Sequence, residues 1–239
     1  MPQLITAIAS LRPSVAAIPR LRPAGPTQFQ ATLGGSAFCV VADRYLVTAF
    51  HVLNGGQPRD ANDRFVAFVV PDNGEAAFHF PVIGFPVERP DVDIAVLEIG
   101  PTMVPGVTIP PVALSFDRST DGARVITVGY PSPEIAGLTV DPAGTFLGGQ
   151  FFLKSHANEG IVSAQYDIAG TLVYELNIGW HNGESGGPIA TIADRPRVFS
   201  LMQHYRNVQT PHGVAAGPHR GCALSAIRQD LARLGVPGA

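Results

Sequence analysis

Apolar residues along this chain come in short runs of aliphatic, β-branched and aromatic side chains, each closed off by Gly, Pro, Asn or Asp. Runs of that length bounded by turn formers predict strands. Twelve are read: Ser36 to Ala42, Tyr45 to Ala49, Arg64 to Val70, Ala76 to Ile83, Val92 to Ile99, Arg124 to Gly129, Thr145 to Leu153, Gly160 to Gln165, Thr171 to Leu176, Pro188 to Ala193, Val198 to Tyr205 and Gly221 to Leu224. One helix follows, Ser225 to Leu234, with Ser225 as N-cap, Ile227, Leu231 and Leu234 at helical spacing, and Gly235 then Pro237 as stop signals. The Gly- and Pro-rich stretch 100–122 splits the strands into five before and seven after. An all-β fold of two barrels is the expectation.

Residues 1–26 read differently. Leu4, Ile5, Ile8 and Leu11 suit one short amphipathic helix, and prolines follow through Pro26. The expected organisation is therefore an N-terminal extension (1–26), a first β-barrel (27–110), and a second β-barrel with the terminal helix (111–239). The extension is expected to be unnecessary for the chemistry and available to a partner protein or activator.

Composition narrows the function classes. Charged residues are 15% of the 239, and hydrophobic ones 46%, against roughly 25% charged in typical soluble domains; the chain has the apolar content to fold. A net charge of -3 with scattered arginines provides no basic field, so no nucleic-acid partner is expected. No uninterrupted apolar run approaches the roughly 18 residues of a membrane span. Cys39 and Cys222 each lie in an apolar stretch and read as buried free thiols. The start has no basic region ahead of its apolar part, and a cytoplasmic location is expected.

The chemistry concentrates in three segments. In Asn182-Gly183-Glu184-Ser185-Gly186-Gly187-Pro188 a serine stands among glycines, where a tight turn can aim backbone N–H groups at one point. Leu46 to Leu53 places His51 just past an apolar strand. Asp91-Val92-Asp93-Ile94-Ala95-Val96-Leu97 places a carboxylate, Asp93 or its rival Asp91, at the head of another. Gly183 to Gly187 also fits the G-x-S-x-G elbow of α/β-hydrolases, but there the acid and histidine follow the serine, and strands alternate with helices. That alternation is missing here.

The order His51, Asp93, Ser185 resembles the chymotrypsin-like serine endopeptidase superfamily. Gly35-Ser36-Ala37-Phe38, Tyr45 to Leu53, Asp93 to Leu97, Val128-Gly129-Tyr130-Pro131, Gly160-Ile161-Val162-Ser163 and Gly183 to Pro188 resemble, in order, blocks of the Deg-type bacterial proteases and the glutamyl endopeptidase group. The resemblance implies two six-stranded antiparallel β-barrels with a C-terminal α-helix. It also implies a trypsin-like serine protease acting on polypeptide substrates through a His51/Asp93/Ser185 triad. Gly183 and Ser185 would form the oxyanion hole, and no metal or cofactor is needed. Substrate-binding candidates by the same resemblance are Gly179, Trp180 and His181 at the pocket base and Gln203, His204 and Tyr205 along its wall. Where digestive members carry an aspartate that pairs with a new N-terminus, this chain has Glu184, so activation of that sort is not expected. Neither is a PDZ-type domain after the terminal helix. The alternative is a latent or inactive protease-fold binding module.

Overall fold

The computed structural model describes residues 2–25, 29–54, 57–71, 77–131, 134–141, 146–179, 181–210 and 213–239. Helix α1 (Pro2–Leu11) leads into β1 (Val15–Pro23), β2 (Phe29–Val41), β3 (Tyr45–Thr48), the single-turn helix α2 (Phe50–Asn54), β4 (Arg64–Val69), β5 (Phe78–Arg89) and β6 (Ile94–Ile99). These six strands close into a barrel in the order β1-β2-β3-β6-β5-β4, antiparallel throughout.

The second half begins with β7 (Ala113–Leu114), β8 (Arg124–Gly129) and a separate hairpin of β9 (Glu134–Val140) and β10 (Phe146–Phe152). It continues with β11 (His156–Ile168), β12 (Thr171–Ile178), β13 (Pro188–Thr191), β14 (Arg197–Thr210) and β15 (Gly213–Ala223). The order β13-β8-β11-β12-β15-β14 is joined end to end by β13–β14 pairing, which makes a second six-stranded ring; β7 adds to β14 in parallel. The expected two-barrel architecture is present. A 3-10 turn (Leu224–Ile227) then leads to α3 (Arg228–Arg233). Ser225 is therefore not the N-cap: it lies inside the 3-10 turn, and neither turn nor helix carries a side-chain cap. Among the described residues no helix is long and apolar enough to cross a membrane.

The largest correction concerns the first 26 residues. Val15–Pro23 is a barrel strand, paired with β2 on one side and β4 on the other. Its residues from Val15 to Leu21 are buried without alternation, because the inner face fills the barrel while the outer face lies towards α1 and β8. Pro19 hides the strand in the sequence, yet it sits at the register shift between Ile18 and Pro19, a bulge where a missing N–H costs little. Val15–Pro23 therefore belongs to the first barrel and not to an extension. Helix α1 exists as expected and packs on β8, burying Ala7 and Leu11 while Ile5 faces outward. Two further strands, β7 and β9, differ from expectation: β7 has only two residues, and β9 lies between Pro133 and Pro142.

Polar anchors fasten β1 to its neighbours. Buried Arg20 donates from Nη1 to the carbonyls of Asn54 (2.8 Å) and Gln57 (3.0 Å), just past α2. Arg22 forks onto the carboxylate of Asp63 at 2.7 and 2.8 Å. Between the barrels, fully buried Tyr130 accepts the N–H of Val70 (3.1 Å) and donates to the carbonyl of Val15 (3.4 Å). Tyr130→Phe keeps the ring but strands the Val70 N–H, so we expect a loss of about 1–3 kcal/mol, read from urea midpoints at unchanged m-value. A midpoint equal to wild type would show that the hydroxyl is dispensable.

Candidate active site

The histidine and aspartate come from the ends of neighbouring strands. β3 and β6 pair with Thr48 opposite Ala95, so His51, in the turn after β3, faces Asp93, the residue before β6. The turn is closed by bonds from Val92 N to Arg89 O (3.3 Å) and Asp93 N to Pro90 O (3.4 Å). Asp93 itself is left-handed, with φ of 54°, a conformation that costs an L-residue about 1–2 kcal/mol and that Asp and Asn tolerate best. It aims both carboxylate oxygens at one residue. Oδ2 lies 2.8 Å from His51 Nδ1, and Oδ1 accepts the His51 backbone N–H at 2.9 Å. A carboxylate only accepts, so the ring proton sits on Nδ1 and Nε2 keeps its lone pair. Asp91, the rival carboxylate, is instead spent on Arg89 at the surface, at 2.6 and 2.9 Å.

Ser185 lies in the turn between β12 and β13. Gly186 is left-handed, with φ of 84°, and a Cβ there would clash with Ser36 O and Thr48 Oγ1; only glycine fits. Gly183 is also left-handed (φ 103°), and Glu184 N donates to His181 O at 3.2 Å. A four-residue turn with a left-handed third residue has the type II pattern. Ser36, buried on β2, fastens this turn to the first barrel. Its N–H donates to Ser185 O (2.7 Å), its hydroxyl donates to Gly183 O (2.8 Å) and accepts from Tyr130 N (2.9 Å), and its carbonyl accepts Thr48 Oγ1 (2.7 Å). Gly186 and Gly187 commit their N–H groups to Met202 O (2.7 Å) and Glu184 O (2.9 Å). Among the described residues, the N–H groups of Gly183 and Ser185 donate to no acceptor in the protein.

The Ser185 hydroxyl donates to the carbonyl of Gln203 at 2.7 Å. Gln203 is buried, and its side-chain amide donates to Val92 O (2.8 Å) and approaches Asp93 O (3.4 Å), so it props the aspartate turn. Glu184 points inward and is fully buried; Oε1 accepts from Asn158 Nδ2 and Oε2 from His181 N, both at 2.8 Å. Burial pushes its carboxyl above the ordinary range.

The candidate substrate residues divide. Gln203 and His204 line a cavity of about 330 Å³ with Asp93, Ile168, Val173 and Arg220. His181 instead lies edge-on to His156, with centroids 6.4 Å apart, and Gly179 abuts Asn158. Trp180 and the Tyr205 side chain lie outside the described residues. Cys39 and Cys222 are free and buried, as expected, and burial pushes both thiols up to about 12, far from thiolate chemistry. Sequence reasoning assigned no role to Ser36, Tyr130 or Asn158. The first two stand in motifs that carried the resemblance; Asn158 left no local signal.

The chain is 27% identical over 189 residues to the serine proteases MT3772 and Rv3671c of two Mycobacterium tuberculosis strains, a match covering 76% of this chain and 38% of theirs. It thus spans under two-fifths of those curated relatives. Among solved structures, the HtrA-type protease AlgW with a decapeptide superposes with a TM-score of 0.64 at 16% identity, over 98% of this chain and 68% of that one. An inactive serine-to-alanine mutant of Rv3671c superposes with a TM-score of 0.57 at 19% identity, over 97% and 91%. These two likenesses concern the fold. The sequence model of the trypsin-like peptidase domain matches residues 35–195, a stretch that holds β3, β6 and the serine turn, and the chain belongs to that family.

Proposed function

We propose that the chain is a serine endopeptidase domain that cleaves peptide bonds through an acyl-enzyme on Ser185. The observation that carries this reading is the double grip of Asp93 on His51, which holds the ring proton on Nδ1 and leaves Nε2 as the base. His51 takes the Ser185 proton as the hydroxyl attacks the carbonyl, then delivers it to the leaving amine; Asp93 holds the tautomer and stabilises the imidazolium. The uncommitted N–H groups of Gly183 and Ser185 receive the oxyanion, each worth about 3–4 kcal/mol in comparable sites. Water repeats the cycle on the ester. This scheme uses no metal or cofactor.

Polypeptide substrates fit the relatives described as serine proteases and the peptide-bound HtrA-type neighbour. We assign substrate residues preceding the scissile bond to the cavity beside Gln203 and His204. A cytoplasmic setting is our reading as well, supported by two thiols left unpaired.

The Ser185–Gln203 bond favours a second reading, a latent enzyme or a binding module, because the hydroxyl is engaged away from His51. Release needs only rotation about one side-chain bond. The two readings separate on treatment with a fluorophosphonate probe alongside digestion of a peptide library. We expect labelling at Ser185 and cleavage, both abolished in Ser185→Ala. Intact wild-type protein that neither labels nor cleaves would leave the latent reading standing.

A further inference from the structure

The limb of the serine turn that carries the Gly183 N–H is thinly supported. His181 and Asn182 are exposed, and Gly183 is half-buried, whereas Ser185 to Pro188 are buried and run into β13. Ser36 bonds Gly183 O from the first barrel, and what closes this limb onto the second barrel is Glu184. Its backbone N–H bonds to His181 O, and its side chain returns to the His181 N–H. The two residues therefore bind each other in both directions, the reciprocal arrangement that also stabilises helix N-termini in a capping box. A carboxyl can hold this position only if its other oxygen is satisfied, because an unmet buried acceptor costs as much as the bond is worth. Glu184 forms no ion pair among the described residues. Its second oxygen is met by the side-chain amide of Asn158, on β11.

We propose that Asn158 is a positioning residue for the oxyanion turn, acting through Glu184: its amide fixes the orientation of the Glu184 side chain, which in turn pins the His181–Glu184 turn so that the Gly183 and Ser185 N–H groups converge. The placement leaves little alternative freedom. Gly129 lies against Glu184, and a Cβ there would stand only 3.1 Å from Glu184 Cα, Cβ and Cγ. Asn158 itself is opposite Thr127 of β8, two residues before the point where β11 also pairs with β12. The support therefore comes from the rigid wall of the second barrel. It is neutral, unlike the charged partner a buried carboxyl more often takes.

The inference rests on the peptidase reading, and its test reverses the hydrogen-bond polarity. Asn158→Asp sets two carboxyls against each other. The turn loosens, and because the oxyanion donors act chiefly in the transition state, kcat should fall by up to about 10²-fold with KM within threefold. Glu184→Gln alone should lower kcat less than Asn158→Asp does, since Asn158 can turn its carbonyl toward the new amide. The double variant Asn158→Asp/Glu184→Gln restores one donor facing one acceptor and should recover kcat to within about threefold, a coupling that independent sites do not show. Full activity in Asn158→Asp overturns the proposal. So does a parallel loss of kcat and KM that the double variant fails to rescue. Fluorophosphonate labelling of the wild type is run beside these assays: absence of both labelling and turnover there sinks the peptidase reading, and the positioning role falls with it.

Discussion

Asp93→Asn is expected to fold normally and lose about 10⁴-fold in kcat, the cost of the same change in a chymotrypsin-like triad. The geometry here explains why so small an edit does so much. Both oxygens of Asp93 face donors, the ring Nδ1–H and the backbone N–H of His51. An asparagine must turn its amide nitrogen toward one of them. The backbone N–H cannot change, so the ring gives way: Nδ1 becomes the acceptor and the proton moves to Nε2, the nitrogen that should take the proton of Ser185. Asparagine also tolerates the left-handed backbone of this position, which keeps the effect free of misfolding. A pH–rate profile separates the causes. If the residual rate does not rise at alkaline pH, where serine can ionise without a base, the tautomer account is wrong.

A chain beginning at Pro26 is expected not to fold. It lacks β1, the strand that closes the first barrel between β2 and β4. Val15, Ile18 and Leu21 are each fully buried, and at about 1.5–3 kcal/mol apiece these three alone approach the 5–15 kcal/mol that stabilises a typical domain. The hydrogen bonds to two neighbouring strands go as well. So do the Arg20 contacts to the carbonyls of Asn54 and Gln57, which hold the chain leaving the His51 helix. Soluble protein with a cooperative thermal transition within a few degrees of the full chain would refute this account of β1.

That strand also shows where sequence reading runs out. Its apolar residues are interrupted by Pro19 and by two arginines, and nothing local reveals that the proline meets a bulge or that Arg20 is buried against carbonyls of a later loop. The candidate residues His51, Asp93 and Ser185 were legible for the opposite reason. Each of His51, Asp93 and Ser185 stands beside an apolar strand or a glycine-rich turn whose form is fixed by its immediate neighbours. The Gly183 and Ser185 amides could be nominated from the glycines alone. What holds them could not, because Ser36 and Asn158 reach the turn from strands remote in the chain, and a serine or an asparagine in a strand announces no partner. Gln203 was placed on the substrate wall; it lines the cavity beside Asp93, and its amide also holds the carbonyls of the Asp93 turn, a partner that no local signal announces.

The bonds that Ser36 makes bear on how the two halves of the molecule move. Two-lobed enzymes often capture a ligand by rotating one lobe on the other about a linker that takes no part in the chemistry. Here the seam runs through the serine turn: Ser185 O and Gly183 O are both bonded to a residue of the first barrel, and Tyr130, from the second, is bonded to that same residue. Parting the barrels by an ångström would break those bonds and dismantle the serine turn in the same stroke. On the peptidase reading, admitting a substrate by parting the barrels would therefore cost the turn itself, so the conformational adjustment on encounter falls to the incoming polypeptide.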